Sequence, residues 1–195
     1  MQQVLEPTKS GIRSLPGTVI ANGRTGEIYL TPPEGETTIR NLLGNLEQFM
    51  NTTSDDIDPL IKLGVLHYQF EAIHPFYDGN GRTGRMLLIL YLLLTRKLDY
   101  PVLFISEFIN QTRSQYYHLL NETSKTEDYT AIISYFLEAI VQQAQQTETK
   151  IVTIKTLMET TETTMQQHLK IDYHKITTIL FSHPYISITD MGEKL

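Results

Sequence analysis

Cysteine is missing from this chain, and that one absence removes several kinds of function. A disulfide framework and thiolate chemistry both need cysteine side chains, so neither can operate in these 195 residues. The absence fits a reducing compartment, and we therefore expect a cytoplasmic location. An excess of positive charge is missing as well, because 16 lysines and arginines stand against 22 aspartates and glutamates, for a net charge of −6. Non-specific binding to nucleic acid or to an anionic membrane is therefore disfavoured.

Long hydrophobic runs are also missing. The apolar run 86–94 is well short of the roughly 18 residues that a membrane span needs, so we predict a core helix there, buried all round. Residues 1–7 have neither the basic flank nor the apolar stretch of a signal peptide. The length allows one core domain and an appendage. Because the composition becomes rich in threonine and glutamine at 160–167, we place the domains at 1–148 and 149–195.

The polar chemistry is concentrated in residues 74–85, which we name the signature loop and which read His-Pro-Phe-Tyr-Asp-Gly-Asn-Gly-Arg-Thr-Gly-Arg. Proline disfavours the α conformation in the residue before it, so a helix should end at His74 and present the imidazole there. Gly79, Asn80 and Gly81 can adopt positive φ and turn several N–H groups into one concavity that suits an anion. A helix that begins near Gly81 points its positive dipole end at the same place.

The charged residues of the signature loop indicate phosphate chemistry. Arg82 and Arg85 are three positions apart on one helix face and can both bind phosphate oxygens. The negative charge of Asp78 would repel a phosphate unless a divalent cation lies between them, and Mg²⁺ is the first candidate for that cation. His74, with an ordinary pKa of about 6.5, is then the natural base for the proton of a nucleophile. These residues predict a Mg²⁺-assisted transfer of a phosphorus-containing group to a hydroxyl.

The signature loop resembles the motif of the Fic family, which is His-Pro-Phe, any residue, Asp or Glu, Gly-Asn-Gly-Arg, two residues, and Arg. The resemblance implies an all-α fold, a helical bundle with a short β-hairpin flap over the active site, and transfer of AMP from ATP to a Ser, Thr or Tyr hydroxyl of a protein. It implies His74 as the base, Asp78 as the metal ligand, and Asn80 with the glycines Gly79 and Gly81 around the α-phosphate. Arg82 would reach the β-phosphate and Arg85 the γ-phosphate.

Two further segments agree with this resemblance. Residues 17–31 contain two short β-forming stretches around an Asn-Gly turn and therefore predict a β-hairpin. The resemblance implies that this hairpin is the flap, whose edge could pair with an extended target segment, and the alternative is a surface hairpin without a functional role. Residues 105–121 predict one helix, and the tyrosine pair near its end is similar to a pair that Fic proteins often have. By that similarity Tyr117 and Asn121 line the adenine pocket. The alternative for Tyr116 and Tyr117 is that they are aromatic core residues with hydrated hydroxyls.

Other interpretations compete with adenylyl transfer. His67, Glu71 and His74 have a spacing that could place metal ligands on one helix face, but Pro75 takes His74 out of the helix, and we expect His67 and Glu71 to brace the loop instead. The same phosphate-binding residues could support the transfer of another nucleotide or of a phosphate group. A nucleotide-sensing adaptor without turnover is also possible, although it predicts the loss of a catalytic residue, and His74 and Asp78 are both present.

The remaining expectations concern partners and regulation. The expected partner is a protein with an exposed hydroxyl side chain, or this chain itself. We expect no membrane partner. Residues 173–195 resemble the opening of a winged helix-turn-helix, a module that follows the Fic domain in many bacterial members. We expect the chain to stop before the recognition helix, so that any DNA contact would need a missing C-terminal part. Many Fic proteins carry an inhibitory helix with Ser or Thr, three residues, Glu, and then Gly or Asn. Glu127, Glu138 and Glu193 have Ser or Thr four positions earlier, but none is followed by Gly or Asn, so we predict a constitutively competent site.

Overall fold

The computed structural model describes residues 11–23, 25–168, 172–183 and 185–194. The described residues form eight helices and two short strands, which confirms the prediction of an all-α fold with one small hairpin. In chain order the elements are β1 Ile20–Ala21, β2 Ile28–Leu30, α1 Glu36–Asn51, α2 Pro59–Ile73, α3 Asn80–Leu94, α4 Ile105–Gln111, α5 Arg113–Thr126, α6 Thr130–His168, α7 Tyr173–Ser182 and α8 Ile188–Lys194.

The chain divides into two compact units, Met1–Ala144 and Gln145–Leu195. The first unit holds both strands, α1 to α5 and the beginning of α6. In the second, the Thr177 hydroxyl donates a hydrogen bond to the carbonyl of Tyr173, and Glu162 lies 2.9 Å from His174 Nδ1. Helices α7 and α8 lie within residues 173–195, for which we predict the start of a winged helix-turn-helix, and that assignment stays a prediction. Residues 184 and 195 of this segment lie outside the described residues. Throughout the described ranges, no helix is long and apolar enough to cross a membrane.

The core of the first unit is built around α2, which packs against α1, α3 and α5. Gly64 allows the close approach of α6, because a Cβ atom at this position would lie 3.0 Å from the Cα of Ile133. The main core cluster consists of aliphatic and aromatic side chains from five helices and one loop. Its members are Leu63, Leu66, Tyr68, Leu88, Tyr91, Leu92, Leu103, Ile105, Phe108, Ile109, Tyr116, Leu120, Ile132, Tyr135, Phe136 and Ala139.

Helix α3 differs from the prediction that it is buried all round. Leu88 and Leu92 are 2% and 1% exposed, but Met86, Leu90 and Leu94 are 64%, 55% and 62% exposed. The exposed side chains recur at every fourth position and therefore share one helix face. The prediction was wrong because every residue from 86 to 94 is apolar or tyrosine, so the sequence has no polar side chain to mark the open face.

The single helix predicted over residues 105–121 is two helices in the structure. Helix α4 ends at Gln111, and α5 begins at Arg113. Thr112 between them has φ −111° and ψ 28°, and its hydroxyl donates to the Phe108 carbonyl at 2.7 Å. Since the apolar periodicity continues through this position, it gives no sign of the break.

The flap hairpin consists of β1 and β2, which pair antiparallel with Ile20 opposite Leu30. The connection is closed by Asn22, whose N–H donates to the Glu27 carbonyl and whose own carbonyl accepts from the N–H of Gly26, both at 2.8 Å. Gly26 has φ 74°, a conformation that suits glycine. Strand β2 packs against α5, which places the hairpin beside the tyrosine pair of that helix.

Candidate active site

The signature loop joins the end of α2 to the start of α3. Helix α2 ends at Ile73, and His74 adopts a left-handed conformation with φ 48° and ψ 59° while its N–H still donates to the Phe70 carbonyl. Such a conformation costs a residue other than glycine about 1–2 kcal/mol, so the surroundings must hold it in place. The prediction that the helix ends at the residue before Pro75 agrees with this geometry.

Arg13 is the side chain that holds this helix end. It is fully buried, its Nε donates to the His74 carbonyl at 2.7 Å, and its Nη2 donates to the carbonyls of Ile73 at 3.1 Å and Pro33 at 2.5 Å. Its backbone N–H also donates to the Pro75 carbonyl at 2.9 Å. A guanidinium is a favourable partner for the free carbonyls at a helix C-terminus. Sequence reasoning missed Arg13, because a single arginine in an irregular segment belongs to no pattern.

The imidazole of His74 has one face toward the interior. Its Nδ1 is buried and lies 3.9 Å from Glu71 Oε2, while the side chain as a whole is 22% exposed. Nε2 is therefore the nitrogen available to a substrate. Burial lowers the pKa of His74, the nearby backbone of Glu71 opposes that shift, and the charge of Arg13 adds to it. A lowered pKa keeps the ring neutral at pH 7, as a general base requires.

Asn80 holds the signature loop in shape. Its side chain is buried, its Nδ2 donates to the Phe76 carbonyl at 2.7 Å, and its Oδ1 accepts from the Phe76 N–H at 2.8 Å. Both ends of the amide are thus used within the loop. If Asn80 contacts an α-phosphate, as the family resemblance implies, its backbone N–H is the group that remains for that contact.

The start of α3 offers backbone N–H groups to an anion. Gly79 has φ 84°, and its carbonyl accepts the first hydrogen bond of the helix from the N–H of Thr83 at 2.9 Å. The N–H groups of Asn80, Gly81 and Arg82 consequently have no acceptor within the helix. Gly81 does not share the positive φ that we expected, because it already lies within α3. A Cβ atom there would lie 3.1 Å from an Arg85 guanidinium nitrogen, so this glycine makes room for Arg85.

Asp78 and Arg82 form an exposed pair at the mouth of the loop. Their side chains are 61% and 71% exposed, and Arg82 Nη2 lies 3.2 Å from Asp78 Oδ2. The other carboxylate oxygen of Asp78 accepts the N–H of Gly79 at 2.6 Å. Among the residues that the structure describes, no group of three or more His, Cys, Asp or Glu side chains could hold a metal ion. A lone carboxylate nevertheless suits Mg²⁺, which is usually bound by one or two carboxylates together with water and substrate phosphates.

Three polar side chains lie buried beneath the loop. His67 Nε2 lies 2.8 Å from the Tyr116 hydroxyl and 3.9 Å from Glu71 Oε1. Burial lowers the pKa of His67 to about 3, so this ring is neutral. Burial also raises the pKa of Glu71 to about 7, while the charge of Arg85 acts in the opposite direction. The predicted core role of Tyr116 fits its position, since the residue is 5% exposed.

Helix α5 holds the flap at its edge. Asn121 Nδ2 donates to the carbonyls of Tyr29 at 2.8 Å and Ile28 at 3.3 Å, and the rings of Tyr29 and Tyr117 stack with centroids 5.0 Å apart. A cleft of about 470 Å³ lies between the hairpin and this helix. Its lining residues are Ala21, Asn22, Gly23, Tyr29, Arg113, Ser114 and Tyr117. Tyr117 therefore lines a cleft large enough for a nucleotide base, whereas the side-chain N–H groups of Asn121 serve the flap.

Comparisons of the sequence agree with the class that this fold and loop define. Residues 3–92 match the sequence model of the Fic/DOC family. A protein adenylyltransferase Fic of Drosophila mojavensis is 37% identical over 100 residues, which are 50% of this chain and 19% of that protein. The corresponding protein of Drosophila melanogaster is 36% identical over 100 residues, with the same coverage. The aligned part thus spans about a fifth of the length of these relatives.

A comparison of structures supports the same fold. The crystal structure of a Fic family protein from Desulfovibrio desulfuricans G20 superposes with a TM-score of 0.61 and 20% sequence identity. The match covers 94% of this chain and 50% of that one. The matched segment, the signature loop and the helical fold agree with one another, so residues 3–92 of this chain are similar to the Fic/DOC family.

Proposed function

We propose that this protein is an adenylyltransferase that moves AMP from ATP to a Ser, Thr or Tyr hydroxyl of a target protein. The observation that carries the proposal is a neutral, partly exposed imidazole beside a helix N-terminus that offers free N–H groups and two arginines. The relatives named protein adenylyltransferase Fic support the same reaction class.

In this reaction the target hydroxyl attacks the α-phosphorus of ATP. The new bond joins the hydroxyl oxygen to that phosphorus, the bond from the phosphorus to the bridging oxygen breaks, and pyrophosphate leaves. His74 Nε2 takes the proton of the hydroxyl. The lowered pKa of His74 supports this role, because the ring is unprotonated and able to accept a proton at neutral pH.

The phosphates would lie against the start of α3. Its free N–H groups at 80–82 and the positive helix dipole end stabilise negative charge there. Arg82 and Arg85 would bind the β- and γ-phosphates, and Arg82 must then leave Asp78, a change that costs little because the pair is exposed. Asp78, freed from Arg82, would hold Mg²⁺, which supplies charge neutralisation of the phosphates when it is bound.

The adenine base would lie in the cleft between the hairpin and α5. The stacked rings of Tyr29 and Tyr117 line this cleft together with the guanidinium of Arg113, which lies 5.7 Å from the ring centroid of Tyr117. Such planar groups are surfaces on which a base can stack. Asn121 would act here by holding the flap, with its edge positioned to pair with a target strand.

The test is incubation of the purified chain with Mg²⁺, a cell lysate and ATP labelled at the α-phosphate. We expect label on protein with the wild type and none with His74→Ala. His118→Ala is the matched control, because His118 is an exposed histidine of α5 outside the proposed site, and it should label as the wild type does. Equal labelling by the wild type and by His74→Ala would refute the enzymatic role of His74. If the chain is instead a nucleotide-sensing adaptor, it will bind ATP without labelling any protein.

A further inference from the structure

Glu71 is a buried carboxyl group to which the proposed reaction assigns no role. It is 5% exposed and lies on α2 one turn before His74. Its two oxygens lie between two imidazoles: Oε1 is 3.9 Å from His67 Nε2, and Oε2 is 3.9 Å from His74 Nδ1. No hydrogen-bond partner for Oε1 is present among the described residues. A buried carboxyl oxygen without a partner is costly, so a function is a better explanation of Glu71 than stability.

The packing of α3 makes room for this carboxyl group. A Cβ atom on Gly84 would lie 2.6 Å from Glu71 Oε1, closer than real side chains approach. The same atom would lie 3.2 Å from His67 Cε1 and from Phe70 Cδ1. Only glycine at this position lets α3 cover Glu71 without displacing it. The fold thus encloses the carboxyl group against the back of the imidazole.

The charged and titratable groups around Glu71 come from each neighbouring element. His67 and His74 lie on its own helix, Arg85 reaches it from α3, and Tyr116 faces it from α5. His67 stays neutral, because burial holds its pKa at about 3, and Tyr116 stays protonated because burial raises its pKa well above the ordinary value. Arg13 acts on His74 from the N-terminal segment. His74 is therefore the one neighbour of Glu71 that changes charge during the proposed reaction.

We propose that Glu71 is a positioning residue for His74, holding its Nδ1 side toward the interior and stabilising the imidazolium that forms when Nε2 takes the proton of the target hydroxyl. The proposal rests on the proposed function for its catalytic meaning. Bases that activate a hydroxyl are commonly oriented by a third group on their far side. The separation of 3.9 Å exceeds a hydrogen bond, and such contacts are often long before substrate binds and shorten afterwards.

The first experiment needs no enzymatic activity. The ring signals of His74 are followed by NMR from pH 8 downward in the wild type and in Glu71→Gln, which keeps the shape and removes the charge. The ring signals that disappear in His74→Ala identify His74 among the six histidines. Glu71 and His74 titrate as a pair in the wild type. Because the pKa of Glu71 is raised to about 7 and the pKa of His74 is lowered, Glu71 takes up its proton first as the pH falls. We expect the His74 ring signals to report this as a separate step near pH 7 in the wild type, and the step to be absent in Glu71→Gln.

Glu122→Gln is the matched control for this titration. Glu122 lies on α5 in an exposed pair with Lys125, so its loss should leave the step near pH 7 in the His74 signals unchanged. A wild type without this step, or a Glu71→Gln protein that keeps it, would overturn the proposal, whether or not the chain proves to be an adenylyltransferase. If the step is present in the wild type and absent in Glu71→Gln but no protein is labelled by the wild type, the proposed function fails while the coupling between the two residues stands.

The second experiment measures the reaction at pH 8. We expect Glu71→Gln to lower kcat at least tenfold with little change in the KM for ATP, because the carboxylate acts when the proton moves and not when the nucleotide binds. Glu71→Asp should recover part of the lost kcat. Thermal unfolding of both variants checks the fold. A Glu71→Gln protein that is as stable and as active as the wild type would overturn the proposal.

Discussion

Replacement of Arg13 by alanine should destabilise the first unit more than any change at an exposed arginine. The side chain is fully buried and makes three charge-assisted hydrogen bonds to the carbonyls of His74, Ile73 and Pro33. Each such bond contributes about 1.5 kcal/mol or more, and the three carbonyls, one in a buried and two in partly buried hydrogen bonds, would lose this donor. Release from the desolvation of a guanidinium offsets part of this loss. We expect a net loss of about 3–4 kcal/mol in the free energy of unfolding.

At this chain length, a loss of that size lowers Tm by roughly 10 °C. Near-UV circular dichroism is a suitable assay because the chain has no tryptophan and its buried tyrosines Tyr68, Tyr91, Tyr116 and Tyr135 all lie in the first unit. Arg13→Lys keeps the charge but not the planar fork, so it should lose about 2 kcal/mol. Since the guanidinium also holds the left-handed conformation of His74, this variant should lose activity as well.

The control is Arg40→Ala. Arg40 is 60% exposed at its side chain and pairs with Glu36 one helix turn away, an interaction that contributes less than about 0.5 kcal/mol. If Arg13→Ala and Arg40→Ala unfolded at the same temperature, the assignment of Arg13 as the residue that holds the end of α2 would be refuted.

Three further predictions follow from the site. Gly84→Ala should lose about 1–3 kcal/mol of stability, because its Cβ would overlap Glu71. The control is Gly44→Ala, at a helical position with open space, which should be neutral or slightly stabilising. Thermal unfolding compares the two variants. Removal of divalent cations with EDTA should abolish protein labelling, and added Mg²⁺ should restore it; labelling that persists in EDTA would exclude the proposed use of Asp78. The third prediction concerns the dependence of stability on pH. Burial holds the pKa of His67 at about 3 in the folded chain, whereas the pKa in the unfolded chain is about 6.5. From pH 6.5 down to 3 the unfolded chain therefore binds one more proton than the folded chain, and the free energy of unfolding falls by roughly 4–5 kcal/mol. Glu71, whose pKa is raised to about 7, has the opposite effect between pH 4.5 and 7, so the net fall should appear below about pH 4.5 in urea titrations. The fall should be smaller in His67→Gln, in which the lowered pKa values of His74, Asp55 and Asp128 still act in the same direction.

The signature loop could be predicted from the sequence because its chemistry is local. A proline after a histidine ends a helix, and glycines before two arginines begin one, so twelve neighbouring residues determine both the turn and the anion cradle. The structure has this arrangement, with α2 ending at Ile73 and α3 beginning at Asn80. The functional roles of the loop residues remain proposals.

The parts that sequence reasoning missed depend on distant contacts. Arg13 binds a carbonyl 61 residues further along the chain, and Asn121 binds the flap 92 residues before it. The periodicity of apolar residues along the sequence does not indicate such distant pairs. Asn80 was assigned to phosphate, yet its amide bridges the loop, a use that only coordinates reveal. The exposed face of α3 escaped prediction because an apolar run has no polar residue to mark it.

The position of the label on ATP tests the central claim most directly. The purified chain is given Mg²⁺ and a lysate, with ATP labelled either at the α-phosphate or at the γ-phosphate, and the modified protein is identified by mass spectrometry. We predict that α-label alone enters protein, as AMP on a Ser, Thr or Tyr side chain, with pyrophosphate released and with no transfer by His74→Ala. Entry of γ-label, or α-label that does not depend on His74, would contradict the account.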